Sequence, residues 1–535
     1  MNKYVVPFFL VLIFVVSSAE EESQTTITLT PNMEEGFISV NQTYRITETG
    51  LTSFEIYTVS LSYADLHIFD EQGDLTYEVG RNTIIGRNIY RTITVFFREP
   101  TNPPYTFTVK YWFYTTATGK PITGKYIYRI AEVTDTTVVV FDIPLTGITE
   151  TARSTPKAVV EERENSTSFS YTFSEDVDVI LNYEPKNGLD YTNTETKTVP
   201  YNGYTFEATY PKEAEIFLED IEDFITNKFP VFLELTGIPL NFKTITITLG
   251  KEEDTWAAAE YRGNGNIRIL INNAASYPSQ FLAHELTHSY IGEFPQYLEE
   301  GMANYFEGLV ARIFTPPRPE TYIPNRESFF QTYERQFGET VDITQARYGL
   351  GLTDHQEALI YAKYSKGTHI IYEIAYTCGH ETVQEMLAVL ATQRDCDVNT
   401  LISQLSEGET VYEILKHYGF DVVPPYAYPA EALLKEVSQK SWWSSFLCYA
   451  SGFEGRIRTA GPEEVSEINA NIENIGEIAS TTFFVINGVF FVILLILGGL
   501  AIRRIYKTGR ENPRILYYFY TVPVAAAILL FSYFL

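Results

Sequence analysis

The sequence predicts a multidomain protein: an N-terminal all-β domain, an α+β domain whose C-terminal part is mainly helical, and a C-terminal transmembrane helical hairpin. Three observations carry this expectation. Apolar residues alternate with period two as far as about Tyr201, the period turns helical past Tyr210-Pro211, and two long uncharged runs, Thr481 to Ile502 and Ile515 to Leu535, close the chain.

Composition sets the outer limits. A chain of 535 residues that is 45% hydrophobic and 20% charged is neither wholly disordered nor collagen-like, and it is long enough for more than one packed core. Against 39 Lys+Arg stand 68 Asp+Glu, a net charge of -29, which repels a phosphate backbone and excludes nucleic acid as a partner. Three cysteines are too few for a disulfide framework or a thiolate zinc module, and allow one bridge at most, Cys378 with Cys396.

The elements follow in chain order. In residues 1–19, Lys3 precedes the uncharged stretch Tyr4 to Val16 and the small residues Ser17-Ser18-Ala19, the pattern of a cleaved signal peptide, so export is expected. Residues 20–204 form the all-β domain. Phe54, Ile56 and Thr58 alternate with Tyr57 and Val59, as Tyr105, Phe107, Val109 and Tyr111 do with Thr106, Thr108 and Lys110, and turn residues such as Asn102-Pro103-Pro104 divide the runs. The sequons at Asn41 and Asn165 suit exposed loops.

Residues 205–440 make the α+β domain, opened by the helical face Ala214, Ile216, Phe217, Ile221, Phe224 and Ile225 and by strand-like runs at Thr244 to Leu249 and Ile267 to Ile271. Residues 441–480 hold an amphipathic segment with Trp442 and Trp443, then an acidic stalk from Gly455 to Ser480. The two spans, 481–502 and 515–535, flank a loop, 503–514, that carries Arg503, Arg504, Lys507, Arg510 and Arg514. Such a loop stays cytoplasmic, which predicts a multi-pass cell-membrane protein with its large domains extracellular.

Chemistry concentrates in His284-Glu285-Leu286-Thr287-His288. Residues four apart project from one face of a helix, so the two imidazoles can share a metal with Glu285 beside them. Pro278 starts this helix, Phe281, Leu282 and Ile291 bury it, and Gly292 stops it. A catalytic metal needs a third ligand, and a second helix beginning at Pro295 offers Glu299 and Glu300. These neighbours point about 100° apart, so one reaches the metal and the other is solvated; spacing alone does not choose.

Together these residues resemble the gluzincin zinc metallopeptidases, specifically the aminopeptidase N-like branch in a compact variant with a shorter insert between His288 and the glutamate. The family pattern of an aromatic, Leu, any residue, Glu, Gly, any residue and Ala is met by Tyr297-Leu298-Glu299-Glu300-Gly301-Met302-Ala303, which selects Glu300 as the ligand. Tyr364-Ser365-Lys366-Gly367 is similar to the motif whose tyrosine stabilises the oxyanion. Asp354 and Glu357 are expected to form a capping box for its helix, and Tyr361 is the next candidate. Ala257-Ala258-Ala259-Glu260-Tyr261 matches the family's amine-binding segment at the second alanine and at Glu260. Glu260 is either that subsite or an exposed carboxylate leading into a strand.

The resemblance implies a zincin-like catalytic domain holding one Zn2+ through His284, His288 and Glu300 and hydrolysing peptides or proteins. Glu285 would serve as proton acceptor and donor, Tyr364 as oxyanion donor and Glu260 as the binder of the substrate amine. Aminopeptidase-like action is expected; an endopeptidase of the same fold, or an inactive surface protein with a binding or structural role, stands as the alternative.

Overall fold

The computed structural model describes residues 22–508 except 33–36, 59–62, 86–87, 115–123, 130–133, 152–153, 175–177, 251–258, 271–277, 315–326 and 345–352. The expected signal peptide, the second span at 515–535 and the pair Ala257-Ala258 lie outside the described residues. The chain forms two compact units, Met1–Phe420 and Asp421–Leu535.

In the first unit, the period-two alternation becomes strands that bury every second side chain. Thr136–Ile143 alternates half-buried and buried positions without a break. An eight-stranded sheet runs, in spatial order, through Val159–Glu162, Thr167–Phe173, Thr136–Ile143, Gln24–Asn32, Phe37–Ile46, Tyr105–Tyr114, Tyr63–Asp70 and Gly73–Asp74. Its pairs are antiparallel except Gln24–Asn32 with Thr136–Ile143. Two three-stranded sheets, one of them built from Ser53–Thr58, Asn88–Phe96 and Thr76–Ile85, complete the β region. Val40, Ile93, Val109, Val139, Phe169 and Leu181 are fully buried in the core these strands share. Asn41 sits on a strand rather than in the expected loop, because its neighbour Gln42 is buried with the core alternation.

A five-stranded mixed sheet follows: Thr194–Tyr201, Tyr204–Pro211, Thr244–Gly250, Asn266–Leu270 and, at the edge, Ala259–Tyr261. This sheet begins upstream of residue 205. Asn202 and Gly203 take left-handed conformations (φ 45° and 80°) and turn the first two strands into a hairpin, so both belong to the same sheet. The motif helix Pro278–His288 packs against it, the glutamate helix Gln296–Phe314 packs on the motif helix and on the tyrosine helix Asp354–Cys378, and the short helix Phe329–Phe337 packs on the tyrosine helix. The tyrosine helix is capped by Thr353 with Gln356, one residue before the expected box: the Thr353 hydroxyl accepts from the Gln356 N–H, and the Gln356 side chain accepts from the Thr353 N–H.

Two glycines decide how the glutamate and tyrosine helices cross. A Cβ on Gly367 would collide with the carbonyl oxygen of Tyr297, and one on Gly301 would strike the backbone of Gly367. The backbones therefore touch at this point, which a side chain on either helix would prevent. Both obstacles are backbone atoms within packed helices and cannot swing aside. Gly367→Ala is expected to destabilise the protein by about 1–3 kcal/mol, read as a lowered melting temperature; wild-type stability would show that the crossing is slack.

The second unit packs helices Tyr428–Lys440, Trp442–Ala450, Phe453–Ile457 and Pro462–Thr508 around Ala430, Val437, Cys448, Phe453, Ile457, Val465, Ile468 and Ile472. This corrects the C-terminal expectations. The supposed stalk is helical and packed, since Val465, Ile468 and Ile472 recur at helical spacing and are buried. The run expected as the first span is the C-terminal part of the 47-residue helix Pro462–Thr508, whose first half is acidic and belongs to that packed cluster. Among the described residues, no helix is long and apolar enough to cross a membrane. The transmembrane hairpin is thus withdrawn, and the multi-pass cell-membrane location that rested on it. The uncharged run is not an independent segment: it continues a helix whose first half is committed to a packed core.

Cys378, Cys396 and Cys448 are free thiols, so the one bridge the composition allows, Cys378 with Cys396, is not formed.

Candidate metal centre

The motif helix is anchored by Leu282, Ala283 and Leu286, which are buried, and this turns His284 and His288 toward the glutamate helix. That helix starts at Gln296, with Pro295 accepting from the N–H groups of Leu298 and Glu299, and is buried through Tyr297, Leu298, Met302 and Phe306. The turn between the helices is tight. The N–H of Glu293 donates to the carbonyl of Arg394 at 2.8 Å, and Gly292 has no room for a Cβ beside that same carbonyl.

Three side chains meet across this turn. Oε2 of Glu300 lies 3.3 Å from Nε2 of His284 and 3.9 Å from Nε2 of His288. One ligand atom from each of His284, His288 and Glu300 lies within 4.8 Å of the others, so this trio can hold a metal ion. Two nitrogens and one carboxylate oxygen suit a divalent first-row cation.

The opposite ring nitrogens are engaged as well. His284 Nδ1 donates to Oε2 of Glu307 at 3.2 Å, and His288 Nδ1 donates to Oε1 of Glu299 at 2.7 Å. Each bond holds a proton on Nδ1, so Nε2, the ring atom that faces Glu300, is the one a cation would engage. The expectation that the spare glutamate is solvated is therefore corrected: the Glu299 side chain is only 23% exposed and orients a ring. Glu307 was not anticipated. Its signal was available, because a residue two turns beyond Glu300 occupies the same helix face.

Both partners can be tested apart from any reaction. Glu299→Ala and Glu307→Ala should each weaken metal affinity by about 10–100-fold while the trio remains, measured by competition with a chelating dye. Unchanged affinity in both would reduce these contacts to surface pairing.

Electrostatics reflect this crowding. Burial alone would lower the pKa of His284, but the hydrogen bonds its ring donates to Glu300 and Glu307, and the charges of Glu307 and Glu285, outweigh it and raise it well above the ordinary value. Burial raises Glu300, yet the His284 hydrogen bond and the charges of both histidines bring it below the usual carboxylate range. The site thus favours positive charge between its rings and carboxylates, which a cation would supply. Glu285 is 5% exposed; burial is the main cause that raises its pKa, while its hydrogen bond to the Tyr261 N–H works in the opposite direction.

A cavity of about 1000 Å³ opens over these groups, lined by Glu260, His284, Glu285, His288, Glu300 and Tyr364, and also by Phe281, Ile291, Asn304 and Tyr361. All six candidate residues from the sequence share this one space. Tyr364 reaches it from the tyrosine helix, its ring edge-on to buried Tyr297 with centroids 5.4 Å apart. Glu260 stands on the edge strand. Its Oε2 accepts from Arg262 Nε at 3.0 Å and lies 2.9 Å from Nη2, and about half of each side chain is exposed.

Compared with known proteins, the chain matches no family model, and no curated protein matches it in sequence.

Proposed function

We propose that this chain is a zinc-dependent metallopeptidase acting on peptides or proteins. The reading is supported above all by one observation: two imidazoles and a carboxylate converge with their Nδ1 partners already in place, and a buried second carboxylate stands beside them in an open cavity. Bound by His284, His288 and Glu300, zinc would supply Lewis-acid polarisation of a carbonyl and an acidified water.

The remaining roles fall to the chain's own groups. Glu285 takes a proton from the attacking water and passes it to the departing amine, a task suited to a carboxylate whose pKa is raised by burial. Tyr364 donates a hydrogen bond to the oxygen that gains charge as the carbonyl is attacked. Glu299 and Glu307 keep the two rings in register.

Glu260 decides between two modes of cleavage. As a carboxylate at the cavity rim it can receive a substrate's terminal ammonium, giving aminopeptidase-like action. The exposed Arg262 pair it forms is a weak one that an incoming ammonium can displace. That same pair favours the second reading, an endopeptidase in which Glu260 is already occupied. Matched peptides with free and acetylated amino termini, products identified by mass, separate the two. Preference for free termini that vanishes in Glu260→Ala is the expected result; internal cleavage of blocked peptides, unchanged in Glu260→Ala, establishes the endopeptidase.

A further inference from the structure

The helix Phe329–Phe337 is gripped from two sides. On one side lies the strand Thr76–Ile85, an outer strand of its three-stranded sheet in the N-terminal β region. The Ile84 N–H donates to Oε1 of Gln336 at 2.7 Å, and Gln336 Nε2 returns a bond to the Ile84 carbonyl at 2.9 Å. The Gln336 amide thus pairs with Ile84 as a neighbouring strand would, closing an exposed edge. Beside it, Arg335 Nη2 donates to the Asn82 carbonyl at 2.7 Å while its Nε donates to Glu327.

On the other side lies the tyrosine helix. The Phe330 N–H donates to Oγ of Ser365 at 3.4 Å, buried Lys366 places Nζ 3.8 Å from Glu334, and the Phe329 ring lies 6.4 Å from that of Tyr361. Lys366 also donates to the Val341 carbonyl at 2.6 Å, tying down the segment that follows the short helix. Ser365 and Lys366 are the two residues that follow Tyr364, and Tyr361 and Tyr364 line the cavity. A nine-residue helix has little stability of its own, so its position is set by what holds it.

We propose that Gln336 and Arg335 are positioning residues through which the N-terminal β region braces the cavity wall bearing Tyr361 and Tyr364. Its catalytic consequence rests on the peptidase reading; its structural content does not. Both side chains are exposed outside their hydrogen bonds, so replacing them leaves the core packing intact.

The test uses the full chain carrying Arg335→Met and Gln336→Met together, with Gln336→Glu as the conservative single variant that keeps the acceptor for the Ile84 N–H. Hydrogen exchange followed by mass spectrometry is expected to quicken about tenfold in peptides covering 329–337 and 358–368, with 278–288 and metal content unchanged. With a peptide substrate, kcat should fall about fivefold while KM holds within about twofold, and Gln336→Glu should recover part of both effects. Unaltered exchange across 358–368 in the double variant overturns the brace whatever the activity. Faster exchange in a wild-type background that cleaves no peptide would leave the brace standing and remove the peptidase reading instead.

Discussion

Glu285→Gln is expected to retain one metal per chain and to lose peptide hydrolysis by a factor of about 10²–10⁴, equivalent to roughly 3–5 kcal/mol of barrier. The two halves of this result come from different residues. His284, His288 and Glu300 present the ligand atoms, all within 4.8 Å of one another, and Glu285 is not among them. Removing its negative charge while keeping its shape leaves the trio and its Glu299 and Glu307 supports untouched but takes away the group proposed to accept the proton. His284→Ala and Glu300→Ala should instead lose the metal, since two remaining ligands cannot hold it. Metal analysis after zinc-replete purification and hydrolysis of a fluorogenic peptide library supply both readouts. Wild-type protein that takes up no metal would end the metal-centre reading. Wild-type protein that holds metal yet cleaves nothing would favour a binding role.

Tyr364→Phe is the second large effect: turnover lowered by about a hundredfold, roughly 3 kcal/mol, with metal content and melting temperature unchanged. The substitution removes one oxygen from a ring whose edge-on packing against Tyr297 is retained, so fold and cavity shape survive. A hydrogen bond made only as charge develops lowers kcat and kcat/KM together and leaves KM in place. Tyr361 lines the same cavity one turn earlier on the helix and is 37% exposed, so Tyr361→Phe is the matched comparison. A near-normal rate for Tyr364→Phe with a collapse for Tyr361→Phe would move the role by one turn.

The sequence by itself determined the elements whose signals are local. Period-two alternation is a property of a strand's own geometry, so Phe107, Val109 and Tyr111 could be assigned to one buried face before any partner strand was known. The spacing of His284 and His288 works the same way, because four residues of helix place both rings on one side whatever lies opposite.

Only the tertiary structure decided what lies opposite. Spacing leaves Glu299 and Glu300 equivalent and only the motif resemblance prefers Glu300; the folded helices give Oε2 of Glu300 to the Nε2 atoms and Oε1 of Glu299 to His288 Nδ1. The close approach of the glutamate and tyrosine helices likewise depends on Gly301 and Gly367, which meet across the crossing despite lying far apart in sequence. The hold of Gln336 on Ile84 joins residues 252 positions apart through a docked helix that no local pattern specifies. At the C-terminus local reasoning failed for the complementary reason: hydropathy measures what a segment could be buried in. The run Thr481 to Ile502 carried no mark of being the continuation of a helix whose first half packs through Val465, Ile468 and Ile472. Burial is a relation between segments, so a single segment states its need for a partner without naming one.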